Sequence, residues 1–72
     1  MQQRMTVAHV REGMRADFAE VLFLESARIY RLLASNDRFE QILARLRDAE
    51  ASGQPVSVLL ATANGEIIED VE

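Results

Sequence analysis

Only four strong breakers, Gly13, Gly53, Pro55 and Gly65, punctuate these 72 residues, and they limit where any helix or strand can run. The clearest element lies between them, a helix from Arg38 to Ser52. Asp37 is placed to cap it, and Glu40 three residues later completes a capping box. Phe39, Ile42, Leu43, Leu46 and Ala49 form one apolar stripe of helical period, with Arg38, Gln41, Arg45 and Asp48 opposite. Gly53 stands where a left-handed cap is wanted, and Pro55 stops any continuation.

The pieces on either side read as strands. Met5 to Arg11 alternates, with Met5, Val7 and His9 on one side and Thr6, Ala8 and Val10 on the other. After Pro55, two apolar segments flank Asn64-Gly65, the pair preferred by a type I′ hairpin turn because both central residues need positive φ. A two-residue loop pairs Leu60 with Glu69 and Val58 with Val71. It puts Val56, Val58, Leu60, Ile67 and Val71 on a core face, and Ser57, Leu59, Ala61, Ile68 and Asp70 on the other.

Met14 to Ala34 admits two readings. On a helical wheel Asp17, Glu20, Arg28 and Arg31 share one polar face, and acids early with arginines late suit the helix dipole. Against this, Glu25 falls in the apolar arc, and Val21, Phe23, Ile29 and Tyr30 favour strands. The helix is the preferred reading. The class is α+β in both cases: a small antiparallel sheet and C-terminal hairpin packed by helices. The preferred order is β-α-α-β-β, and the alternative is β-β-α-β-β with a single helix.

The sequence reads as a single small globular domain over 1–72. Hydrophobic residues make up 49% of it and charged residues 28%, a balance that suits a folded core over a disordered tail. No apolar run exceeds four residues, too short for a membrane helix, and the start carries no apolar leader. A cytoplasmic location is therefore expected. All eight basic residues are arginine and there are ten alanines, a usage that G/C-rich codons produce and that suggests a bacterial source.

The chemistry is sparse. Cysteine is absent, so disulfides, thiolate nucleophiles and Cys-based zinc sites are excluded. His9 is the only histidine and has no neighbouring ligand or base in the sequence. The acids Glu66, Glu69, Asp70 and Glu72 lack calcium-loop spacing. No serine has a nucleophile-elbow setting, and the isolated glycines cradle no phosphate. The expectation is a protein that is not an enzyme, with no catalytic residue, cofactor or metal.

Two surfaces stand out. Val21 to Leu24 with Leu59, Ala61 and Ile68 exceed what one thin core hides, and exposed apolar patches mark protein contacts. Leu24, Leu59, Ala61 and Ile68 are thus a candidate interaction surface, with the chain itself as a homodimer, or another protein, as partner. Arg28, Tyr30 and Arg31, extended by Arg38 and Arg45, are a candidate nucleic-acid patch of phosphate-binding arginines around a stacking aromatic. The net charge of −4 weighs against nucleic acid. A small interaction module is the leading expectation, a nucleic-acid-associated regulator the alternative. A third reading is an inhibitor-like protein that offers its acidic surface to a basic partner.

Overall fold

A computed structural model of the chain describes residues 2–12 and 17–72. Gly13 and Met14, a breaker and the start of the expected first helix, lie outside the described residues. The class is α+β, but the order is neither of those expected. The elements are β1 (Gln2–Glu12), β2 (Phe18–Phe23), β3 (Ile29–Leu33), α1 (Phe39–Ser52), β4 (Pro55–Leu60) and β5 (Ile68–Val71).

The preferred helix over Met14 to Ala34 is replaced by the hairpin β2–β3. Ala19, Val21 and Phe23 face inward on β2, as do Tyr30 and Leu32 on β3, and all five are buried. The turn between the strands explains Glu25, which spoils the helical wheel. Its carboxylate accepts the Thr6 backbone N–H at 2.7 Å, while the Leu24 N–H donates to the Thr6 carbonyl at 2.9 Å. The Thr6 N–H holds the Glu25 carboxyl below the usual carboxylate range.

β1 organises the sheet, whose order is β3-β2-β1-β4-β5. Its first half pairs with β4, from Gln2 opposite Leu59 to Thr6 opposite Pro55. Its second half pairs with β2, from Val7 opposite Phe23 to Glu12 opposite Ala19. A bulge at Ala8 separates the two halves, since Val7 faces Phe23 while His9 faces Leu22. The extra residue reverses the alternation and bends the strand. Val10 therefore joins Met5 and Val7 in the core, and His9 turns outward, contrary to simple alternation.

The sheet curls until its outer strands meet. Arg31 on β3 forms a parallel bridge with Ile67, and its N–H donates to the Glu66 carbonyl at 2.8 Å. Five strands in this order, with a helix between β3 and β4, make a partly open Greek-key barrel of the OB type. One continuous cluster fills it and includes Val21, Leu32, Ile42, Leu46, Val58, Ile68 and Val71.

α1 runs close to its expected span and buries Ile42, Leu43, Leu46 and Ala49 against β1, β5 and β3. Gly53 ends it at φ 73°, its N–H donating to the Ala49 carbonyl. The N-terminal expectation is corrected, because Asp37 does not cap the helix. Asn36 does the local work: its Oδ1 accepts the Arg38 N–H at 2.8 Å and its carbonyl accepts the Phe39 N–H at 3.0 Å. Its Nδ2 also donates to the Glu69 carbonyl at 3.0 Å, tying the helix start to β5. Asn36→Ala removes both side-chain links and is expected to cost about 1–2 kcal/mol, measured by urea unfolding.

The C-terminal hairpin keeps the pairing of Val58 with Val71 but not of Leu60 with Glu69. Leu60 faces Ile68, and Glu69 is the extra residue of a second bulge. Ile68 is consequently buried, at 1% exposure, while Ile67 is half-buried, the reverse of the expected faces. The type I′ turn is also corrected. The Gly65 N–H donates to the Thr62 carbonyl at 3.1 Å, so Ala63 and Asn64 are the central residues, and Asn64 has φ 62°. A positive φ at the third position is the mark of a type II turn. Gly65 is needed for space: a Cβ there runs into the Thr62 hydroxyl and stands 3.1 Å from the Thr62 carbonyl oxygen.

Two arginines fasten α1 to β5. Arg38 pairs with Asp70 at 2.7 Å, and Arg45 donates to the Val71 carbonyl at 2.9 Å, so Arg45 is more than a solvated residue of the polar face. Burial opposes the Asp70 carboxylate, but the Val71 N–H and Arg38 outweigh it and hold its pKa below the ordinary value. A depressed folded-state pKa gives stability that is complete above the usual carboxylate range and lost as pH falls through the folded value. Stability is expected to fall on acidification below about pH 4. Asp70→Asn should flatten that dependence in melts recorded across the range.

Candidate functional site

The outward alternation of β2 and β3 builds the most distinctive surface among the described residues. Phe18, Glu20 and Leu22 on β2 lie opposite Leu33, Arg31 and Ile29 on β3. Leu24 continues the outward side beyond β2. Among the described residues, Leu24 and Ile29 are the large hydrophobic ones left exposed, at 71% and 41%. Leu22 and Ile29 are directly paired, so with Leu24 they form an apolar ridge at the hairpin tip.

Charged groups cross the middle of this face. The Arg31 guanidinium sits over the Phe18 ring, 5.3 Å from its centroid, and the Arg11 guanidinium donates to the Glu20 carboxylate at 2.9 Å. At the far end lies the seam where β3 meets the β4–β5 turn. A shallow groove of about 190 Å³ opens there, with Leu33, Ala61 and Ile67 as its apolar lining and Ser35, Asn36 and Glu69 beside them.

The candidate interaction residues are not brought together. Leu24 is exposed at the hairpin tip, Leu59 is half-buried opposite Gln2, and Ala61 is exposed at the seam. Ile68 points into the core and leaves the surface. Phe18, Leu22, Ile29 and Leu33 belong to the face and were legible only through the strand alternation of 18–24 and 29–33. The candidate nucleic-acid residues also divide. Tyr30 is buried against Phe23, rings 5.2 Å apart and edge to face, so it offers no stacking surface. Arg28 and Arg31 are exposed near the hairpin, while Arg38 and Arg45 are committed to β5.

His9 lies 3.3 Å from Glu50 on the outside of β1, a surface pair of the kind that contributes little to stability. Among the described residues no three of His, Asp and Glu come together as a metal ion requires. No helix of the described residues is long and apolar enough to cross a membrane.

No protein-family model matches the chain, and no curated relative matches it. A solved structure does, the crystal structure of pro-protein-glutaminase, with a TM-score of 0.83 and 25% identity. The match covers 96% of this chain and 23% of that one, so the chain spans about a quarter of its neighbour's length. This runs against the expectation of a protein that is not an enzyme, because a similar fold forms part of an enzyme precursor.

Proposed function

We propose that the chain is a docking unit of a protein-modifying enzyme of the protein-glutaminase kind, seated on the enzyme body through the outer face of β2 and β3. The likeness of nearly the whole chain to a quarter of an enzyme precursor carries this reading. In that neighbour the matched unit belongs to one polypeptide with the remaining three quarters. A small barrel that packs on a larger body needs an apolar surface beyond its own core, and Leu22, Leu24 and Ile29 supply one. The same ridge suits a second copy, so homodimerisation is the competing use of this surface when the enzyme body is absent.

The test is to add the chain to the protein-glutaminase with its matching segment deleted and to follow co-elution and ammonia release from a glutamine-containing protein. Co-elution with altered ammonia release supports the reading. Independent elution, with release unchanged, refutes it.

One observation favours a second reading. OB-type barrels bind oligonucleotides on the β2–β3 face, where this chain has Arg31 over Phe18 with Arg11 and Arg28 nearby. Binding of single-stranded DNA that weakens steeply with salt would support it. The net charge of −4 and the pairing of Arg11 with Glu20 favour the protein partner.

A further inference from the structure

The barrel closes through one bridge between β3 and Ile67, and the groove at that seam has a chemical character that the hairpin tip lacks. Its apolar lining comes chiefly from Leu33, Ala61 and Ile67, beside Ser35 and Asn36, and its volume of about 190 Å³ suits one aliphatic or aromatic side chain. Glu69 stands at the rim, and Glu66 precedes Ile67 on the same turn. Both are exposed, and among the described residues neither is engaged in an ion pair. Arg31, whose N–H donates to the Glu66 carbonyl, places its guanidinium over the Phe18 ring, and Arg38 is held by Asp70.

We infer that this seam groove receives a basic segment of a partner protein that inserts one apolar side chain between two cationic ones. Charge complementarity selects the occupant. A second copy of a chain with net charge −4 would bring acids against acids at this rim, whereas arginine or lysine beside the anchor meets Glu66 and Glu69. The groove continues the outer face of β3 through Leu33, so the inference rests on that face being a docking surface and names what its seam end takes. Asn36, which links the helix start to the Glu69 carbonyl, fixes one wall before any ligand arrives.

The experiment titrates the doubly capped peptide Gly-Arg-Leu-Arg-Gly into the isotopically labelled chain and follows the amide resonances. Saturable shifts confined to Leu33, Ala61, Ile67 and Glu69 are expected, with half-saturation on the order of 1 mM. Gly-Arg-Ser-Arg-Gly and Gly-Glu-Leu-Glu-Gly should bind at least roughly fivefold more weakly, the first lacking the anchor and the second the charge. The exposed substitution Ala61→Arg should fill the groove and abolish the shifts while the rest of the spectrum stays unchanged. Absence of saturable shifts, or equal binding of all three peptides, overturns the inference. Peptide binding without docking on the enzyme body would retain the groove and refute the enzyme reading. Docking that Leu24→Glu abolishes, without peptide binding, would do the opposite.

Discussion

Val21→Asp is expected to unfold the chain, whereas Leu22→Asp, one residue on, should leave it folded at a cost of about 1 kcal/mol. Val21 is fully buried in a central strand, between Val10 on β1 and Tyr30 on β3. A carboxylate there has no partner, and its desolvation costs several kcal/mol, comparable with the whole stability of a domain this small. Leu22 points out from the same strand. Circular dichroism melts of the two variants therefore test strand alternation directly. On the helical reading of Met14 to Ala34, both positions fall in the broad apolar arc and both substitutions would be damaging.

Leu46→Ala is the second large effect, expected at about 2–5 kcal/mol by chemical denaturation. Leu46 is fully buried on α1, between the barrel strands and the helix, where a cavity cannot easily collapse. Arg45→Ala, next to it, should cost about 1 kcal/mol, because its guanidinium bonds the Val71 carbonyl across the α1–β5 junction. A loss for Arg45→Ala equal to that for Leu46→Ala would mean that α1 is rotated.

These two residues also show what the sequence could and could not disclose. α1 was legible because its period, its glycine cap and its proline stop are local signals that agree with one another. The β2–β3 hairpin was not. Val21 to Leu24 is a run of four apolar residues, which looks unlike a half-buried strand because Leu22 and Leu24 are apolar on the outward side as well. Their outward placement is the surface feature on which the proposed docking rests, so the residues that obscured the fold are those that form the candidate site. Both bulges hid in the same way. Ala8 and Glu69 carry no local signal, yet each reverses the alternation on one side of it, exchanging His9 for Val10 after Ala8 and Ile67 for Ile68 before Glu69. Strand curvature and barrel closure depend on partners far along the chain, and no local pattern around either residue announces them.

Tyr30 illustrates the same limit for chemistry. Between Arg28 and Arg31 it looks like a stacking residue, but strand alternation turns it inward onto Phe23 while Arg31 turns outward onto Phe18. A cluster in sequence is thereby split across the two sides of a sheet. Conversely, Leu33 and Ile67, more than thirty positions apart, meet at the seam only because the barrel closes there.

The most direct measurement is calorimetric titration of the chain into the protein-glutaminase from which the matching segment has been removed, at two temperatures and two salt concentrations. Docking through Leu22, Leu24 and Ile29 predicts binding with a negative heat-capacity change, modest salt dependence, and loss in Leu24→Glu, a variant that stays folded because Leu24 is exposed. Absence of binding by the wild-type chain, or binding that Leu24→Glu leaves intact, would contradict the account.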